Sequence, residues 1–231
     1  MTTIKGAVAL VTGGQRGLGK AFVEELLAAG AAKVYATARK PVESEDPRIV
    51  PLPLDVTDPA SVAAVAAQVG DVTLVINNAG TTVRGPLLGA SRNDLEEVFA
   101  TNVFGVVAVS QAVAPILARN GGGALVNVAS VLSWVAGAGV YGGSKAALWS
   151  VTNTLRLELA RQNTQVVGVH LGYTDTDMTR ALDVPKNDPL DVARDTIAAV
   201  ERGETEVLAD EVSRVYKAAL SGPVEGLALQ G

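Results

Sequence analysis

Tyr141 and Lys145 stand four positions apart, and this is the pair in the chain with the clearest chemical capacity. At helical spacing the two side chains share a face. An ammonium held beside a phenol favours the phenolate and lowers a pKa that starts near about 10. Such a phenol exchanges a proton with a substrate oxygen near neutral pH. Spacing alone is weak evidence; position adds to it. The pair opens a helical stretch that follows the apolar run Ala124–Val128, and that run ends in Ala129-Ser130. A hydroxyl at Ser130 can hydrogen-bond the same substrate oxygen. Ser133, farther past the end of the run, is its rival.

A second constellation lies near the N-terminus. Thr12-Gly13-Gly14-Gln15-Arg16-Gly17-Leu18-Gly19 follows the first apolar run and leads straight into a helix. Glycines let the backbone turn sharply and approach a ligand closely, and the helix N-terminus offers unpaired N–H groups and a positive dipole end to a pyrophosphate. The spacing is G-x-x-x-G-x-G rather than the commoner G-x-G-x-x-G. An NAD site usually carries an acid after the second strand; this strand ends Thr37-Ala38-Arg39-Lys40. With no carboxylate there, Arg39 and the turn's own Arg16 point to the 2′-phosphate of NADP(H).

These residues need a scaffold that brings them to one edge. Short apolar runs at Ala7–Val11, Lys33–Ala38, Ile49–Leu54, Val72–Ile76, Ala124–Val128, Gln165–Leu171 and Glu206–Leu208 alternate with helical stretches. The helices are expected at 19–29, 58–68, 91–119, 140–161, 189–202 and 210–220, with Ser91 and Asp94 as a capping box. Strands apolar throughout and separated by helices imply a doubly wound, mostly parallel Rossmann-type sheet of seven strands, helices on both faces, in a single α/β domain over residues 1–231. In such sheets ligands bind beyond the carboxyl ends of the strands, where nearly all the unusual residues fall. The stretch 173–189 reads as a lid.

With these motifs in place the chain resembles the short-chain dehydrogenase/reductase family over essentially its whole length. The matching elements are Thr12-Gly-x-x-x-Gly-x-Gly19, Asp55-Val56, Asn77-Asn78-Ala79-Gly80, Asn102, Ser130 and Tyr141-x-x-x-Lys145. The resemblance implies that Tyr141 is the acid/base, that Lys145 lowers its pKa and binds the nicotinamide ribose, and that Ser130 polarises the substrate carbonyl. It implies that Asn102 holds a relay water and that Asp55 and Val56 contact adenine. Asn78, Ala79 and Gly80 then line the cofactor, as do Gly13, Gln15, Arg16, Gly17, Leu18 and Gly19, and Thr176 meets the carboxamide. Two departures stand out: the Ser-to-Tyr loop is short, and the family's Pro-Gly pair is here Leu171-Gly172. Gly142 and Gly143, between the Tyr and the Lys, serve either close approach or nothing in particular.

The expected reaction is NADP(H)-dependent interconversion of a carbonyl and an alcohol. The alternatives are a non-catalytic NADP(H)-binding sensor or partner module, and lyase or epimerase chemistry on a bound cofactor. Leu132, Trp134, Tyr173 and Met178 supply an apolar substrate lining, so the substrate is expected to be uncharged and hydrophobic; Trp134 has a second reading as a plug beneath a neighbouring loop. The 231 residues carry a net charge of −5, no cysteine and one histidine, His170. That argues against nucleic-acid binding, disulfides, a metal site and a His-based triad. His170, at a strand end, is read as a packing residue. The short apolar run at the N-terminus and the absence of a membrane-length stretch point to a cytoplasmic protein. Long helices rich in Ala and Val on more than one face imply a homodimer or homotetramer.

Overall fold

The computed structural model describes residues 2–228; the outermost ends of the domain expected over 1–231 lie outside the described residues. Seven strands form one sheet: β1 (Val8–Val11), β2 (Lys33–Ala38), β3 (Ile49–Pro53), β4 (Leu74–Asn77), β5 (Gly123–Val128), β6 (Thr164–His170) and β7 (Glu206–Leu208). Their order is β3-β2-β1-β4-β5-β6-β7, and every pairing is parallel. Pro51 and Pro53 are accommodated because β3 is an edge strand, where a missing N–H costs no ladder bond on the open side.

The strands are apolar on both faces, and their alternation divides the core in two. Ala9, Val11, Leu74, Ile76, Val126 and Val169 face one layer, built with α1 (Gly17–Ala28) and α6 (Pro189–Arg202). Leu10, Val75, Leu125 and Val166 face the other. That second layer is built with α2 (Pro59–Ala66), α4 (Val106–Arg119) and α5 (Gly139–Leu159). Helical crossovers between the parallel strands, absent only between β2 and β3, produce this two-sided cover. The strand order reverses between β1 and β4, so the segments after these two strands flank one crevice.

The long helix expected over 91–119 is continuous but not uniform. α3 (Arg92–Phe99) starts on the expected capping box of Ser91 and Asp94, passes through a π turn at Ala100–Gly105, and resumes as α4. The Arg92–Arg119 run is apolar and long enough to cross a bilayer, contrary to the expectation that no stretch is, and half of its most apolar window is buried inside the fold. It is the core helix of the second layer. The last helix, α7 (Glu211–Ala218), packs beside β7 over the turn that follows β5.

Candidate active site

The glycine turn after β1 is built by close approach. Gly13 and Gly17 have φ values of 64° and 50°, which L side chains rarely adopt. A Cβ on Gly19 would lie 2.1 Å from the Gly13 carbonyl oxygen, so the first turn of α1 sits directly on the preceding loop. Gly14 is more mildly constrained, since a Cβ there would lie 3.0 Å from the Val11 carbonyl. Thr12 joins this turn to the segment after β4. Its hydroxyl accepts from the backbone N–H of Asn78 at 2.9 Å and of Ala79 at 3.0 Å, while Asn78 Nδ2 donates back to the Thr12 carbonyl at 3.0 Å. The Asn78 side chain therefore braces the turn, and Ala79 and Gly80 form the opposite lip of the crevice.

Arg16 occupies the N-cap of α1 without a side-chain cap bond, so the helix start keeps free N–H groups. Leu18 is buried against α1's own layer. The Gln15 amide is spent on the Val42 backbone, donating at 2.7 Å and accepting at 2.8 Å, which ties the loop after β2 to the turn. Arg39 is exposed at the end of β2, and its charge helps to lower the Asp55 pKa. The main cause of that lowering is the Thr57 hydroxyl, which donates to Asp55 Oδ1 at 2.7 Å, with the Thr57 N–H at 2.9 Å. Val56 packs onto the π turn, where only a glycine at position 105 leaves it room; a Cβ there would meet Val56 Cγ2 at 2.7 Å.

Ser130, Tyr141 and Lys145 meet at the C-terminal edge of β5. Ser130 is buried directly beyond the strand; its hydroxyl accepts from Leu132 N–H at 3.1 Å and interacts with the Tyr141 phenol. Ser133 is excluded as its rival, because its hydroxyl caps the Lys145 carbonyl at 3.0 Å. The Lys145 ammonium donates to the Val128 carbonyl at 2.8 Å and lies 5.5 Å from the centre of the Tyr141 ring.

The expected lowering of the Tyr141 pKa is not what this arrangement gives. Burial pushes the phenol up to about 12, and the Ser130 hydroxyl offsets only part of this. Tyr141 as a whole stays partly exposed. Burial also pulls the Lys145 ammonium down to about 8. Desolvation is the largest influence on both groups, and it disfavours the charged form of each.

Asn102 lies in the π turn, fully buried. Its Oδ1 accepts from Thr81 N–H at 2.9 Å, and its Nδ2 donates to the Thr81 carbonyl at 2.9 Å and the Ser144 hydroxyl at 3.0 Å. Ser144 in turn donates to the Tyr141 carbonyl at 2.7 Å. The Asn102 amide thus ties the segment after β4 to the start of α5. Ser144 completes this link, and its place inside Tyr-x-x-Ser-Lys is the signal that could have singled it out.

The segment 173–189 closes over the glycine turn. Thr176 lies against Gly17, where an added Cβ would come within 3.3 Å of it, and Arg16 pairs with Asp177 at 3.8 Å. Tyr173 and Met178 are exposed on this segment, and Leu132 is partly buried on the turn after β5. Trp134 is a correction. It does not line a substrate pocket but stacks on His170 at 4.0 Å and meets Trp149 edge-on at 6.1 Å. The turn after Ser130 directs it under α7, where Val131, Val135 and Leu208 enclose it. His170 is buried and bonds the Ser130 carbonyl through Nδ1 at 3.1 Å; burial lowers its pKa to about 4. Neutral at physiological pH, it packs and steadies Ser130.

The chain matches the family model described as short chain dehydrogenase over residues 7–187. It is 34% identical to a gluconate 5-dehydrogenase of Gluconobacter oxydans over 194 residues, covering 78% of this chain and 76% of that protein. It is equally 34% identical to a 3-oxoacyl-acyl-carrier-protein reductase of Salmonella typhimurium, covering 78% of each. Among solved structures, a short chain dehydrogenase from Burkholderia cenocepacia in complex with NADP superposes with a TM-score of 0.91. That protein is 37% identical, and the match covers 97% of both chains. With the glycine turn, the Ser130–Tyr141–Lys145 cluster and the sheet order already in place, these likenesses show that the chain belongs to the short-chain dehydrogenase family.

Proposed function

We propose that this protein is an NADP(H)-dependent oxidoreductase that interconverts an uncharged, hydrophobic ketone or aldehyde and its alcohol. The observation that carries the reading is the convergence of Ser130, Tyr141 and Lys145 at the sheet edge that also bears the glycine turn. The residues fit the cofactor. The cradle of Gly13, Gly17 and Gly19 leaves space that side chains would fill, α1 presents an uncapped N-terminus, and Arg16 and Arg39 offer charge to a 2′-phosphate. Asp55 and Val56 would meet the adenine, Ala79 and Gly80 the ribose, and Thr176 the carboxamide. The NADP seen in the Burkholderia relative supports the same choice.

When bound, the reduced nicotinamide supplies hydride to the carbonyl carbon. The chain's own residues do the rest. Tyr141, with its pKa raised, is fully protonated at neutral pH and donates its phenolic proton to the developing alkoxide. Ser130 hydrogen-bonds the same oxygen and holds it in line. Lys145 keeps positive charge near that oxygen, and the Asn102–Ser144 link fixes the start of α5. Leu132, Tyr173 and Met178 enclose the carbonyl's substituents. Phe104 and Leu157, exposed on the long helices, support a homodimer or homotetramer.

The test is purified protein with NADPH and a panel of ketones and aldehydes, followed at the nicotinamide absorbance. Tyr141→Phe is expected to lose at least about 100-fold in kcat, the usual contribution of a positioned acid. Equal turnover by wild type and variant sinks the mechanism. Tight NADPH binding without turnover on the whole panel favours the non-catalytic module instead.

A further inference from the structure

Asp210 belongs to none of the motifs above, yet its carboxylate joins three separate segments beside the site. It caps α7, accepting from the Ser213 N–H on Oδ1 at 2.8 Å. Its Oδ2 accepts from the Gly172 N–H at 2.6 Å and from Asn187 Nδ2 at 2.6 Å. Gly172 is the last residue before the lid, and Asn187 closes it. Asn187 N–H donates to the Tyr173 carbonyl at 2.8 Å, and its carbonyl accepts from Asp175 N–H at 3.0 Å. One carboxylate on α7 thereby holds both stems of the lid. Glycine at position 172 lets the carboxylate come this close, since a Cβ there would lie 3.0 Å from Asp210 Oδ2. The carboxyl is half-buried; burial works to raise its pKa, and the hydrogen bonds outweigh that and hold it below the usual carboxylate range. At its far end the lid rests on the glycine turn through Thr176 and Asp177.

We propose that Asp210 is a positioning residue that sets the pose of the 173–189 lid over the glycine turn, and through it the affinity of the site for NADPH and carbonyl substrate. It touches neither ligand. This rests on the reading of the site given above, in which Thr176, Tyr173 and Met178 line it. The geometry also accounts for Leu171-Gly172 in place of the family's Pro-Gly pair. The turn that a proline would stiffen is held from outside by a carboxylate.

Two variants test it. Asp210→Ser keeps a hydroxyl cap for Ser213 N–H but is too short to reach Gly172 and Asn187. Asn187→Ala removes one lid bond and leaves the α7 cap intact. For both, the KM for the carbonyl and the dissociation constant of NADPH are expected to rise about tenfold, the scale of a lost hydrogen bond to a charged group. The kcat at saturation should stay near that of wild type. Trypsin should cleave after Arg180 and Lys186, both in the lid, faster than in wild type, while cleavage elsewhere and the melting temperature change little. Unchanged KM and unchanged lid cleavage in both variants overturn the proposal. So does a loss of kcat in step with general proteolysis, which marks a merely structural role. If wild type neither binds NADPH nor reduces any carbonyl, the reading of the site is wrong; lid cleavage then still decides whether Asp210 holds the lid.

Discussion

Lys145 carries a cost that its neighbours do not relieve. It is almost fully buried, its one close partner is the Val128 carbonyl, and burial lowers its pKa to about 8. A folded-state pKa below the unfolded value near about 10 means that folding disfavours the charged form. The penalty is present in full below about pH 8 and fades as the pH rises toward the unfolded value. Lys145→Met removes a penalty of a few kcal/mol and loses a hydrogen bond worth about 1 kcal/mol. It is therefore expected to melt several degrees above wild type at neutral pH, with turnover abolished. Scanning fluorimetry should show that advantage shrinking between about pH 8 and about pH 10; an advantage independent of pH would mean that Lys145 is not desolvated as the structure places it. Arg39 poses the complementary question, that of an exposed charge with a ligand role. Arg39→Asp should weaken NADPH binding by about tenfold or more and leave NADH binding intact or improved. Titration of both cofactors by protein fluorescence checks this, and equal loss for the two would remove the phosphate from the argument.

At the scale of elements, two adjacent glycines in the first turn of α5 have opposite roles. A Cβ on Gly142 would come 2.4 Å from the Ala138 Cβ and 3.1 Å from the Leu132 carbonyl, so the turn after Ser130 packs directly onto the helix at this point. Gly143 is exposed, and its nearest neighbour would be a Phe99 ring atom at 3.9 Å. Gly143→Ala is expected to stabilise by about 1 kcal/mol through helix propensity, whereas Gly142→Ala should destabilise by about 1–3 kcal/mol through overpacking. Denaturant unfolding of the two variants should therefore shift in opposite directions. The sequence could not separate them, because helix propensity treats the two alike and only the packing of Ala138 and Leu132 around position 142 tells them apart. The same limit explains the other differences. Apolar periodicity located β2, α6 and β7 to the residue, since burial on both faces leaves a continuous signal. It could not show the π turn at Asn102, whose side chains keep a helix-like spacing, nor the direction of Trp134 in an irregular turn. The bonds from Asp210 to the lid, spanning 38 and 23 positions, leave no local pattern in the sequence.

At the scale of the whole molecule, the long helices leave apolar side chains without cover. Phe104 on the π turn is 64% exposed, and Leu157 on α5 is 78% exposed. Neither belongs to the core clusters of the two sheet faces, and solvating both is unfavourable by about 1.5–3 kcal/mol for each side chain that a partner would bury. The π turn that carries Phe104 packs against α5, so a second copy seated there would also steady that helix. The expected species in solution is a dimer or tetramer. Leu157→Asp and Phe104→Asp each place a charge where a partner's apolar side chain would sit, an uncompensated burial that costs several kcal/mol. Both should shift the mass measured by light scattering toward the monomer at micromolar concentration. Val42→Asp is the control, since Val42 is exposed in the loop after β2, on the other half of the sheet from β5, and should leave the mass unchanged. A monomeric wild type, or equal behaviour of all three variants, would mean that the exposed helix face has no partner in a second copy of the chain.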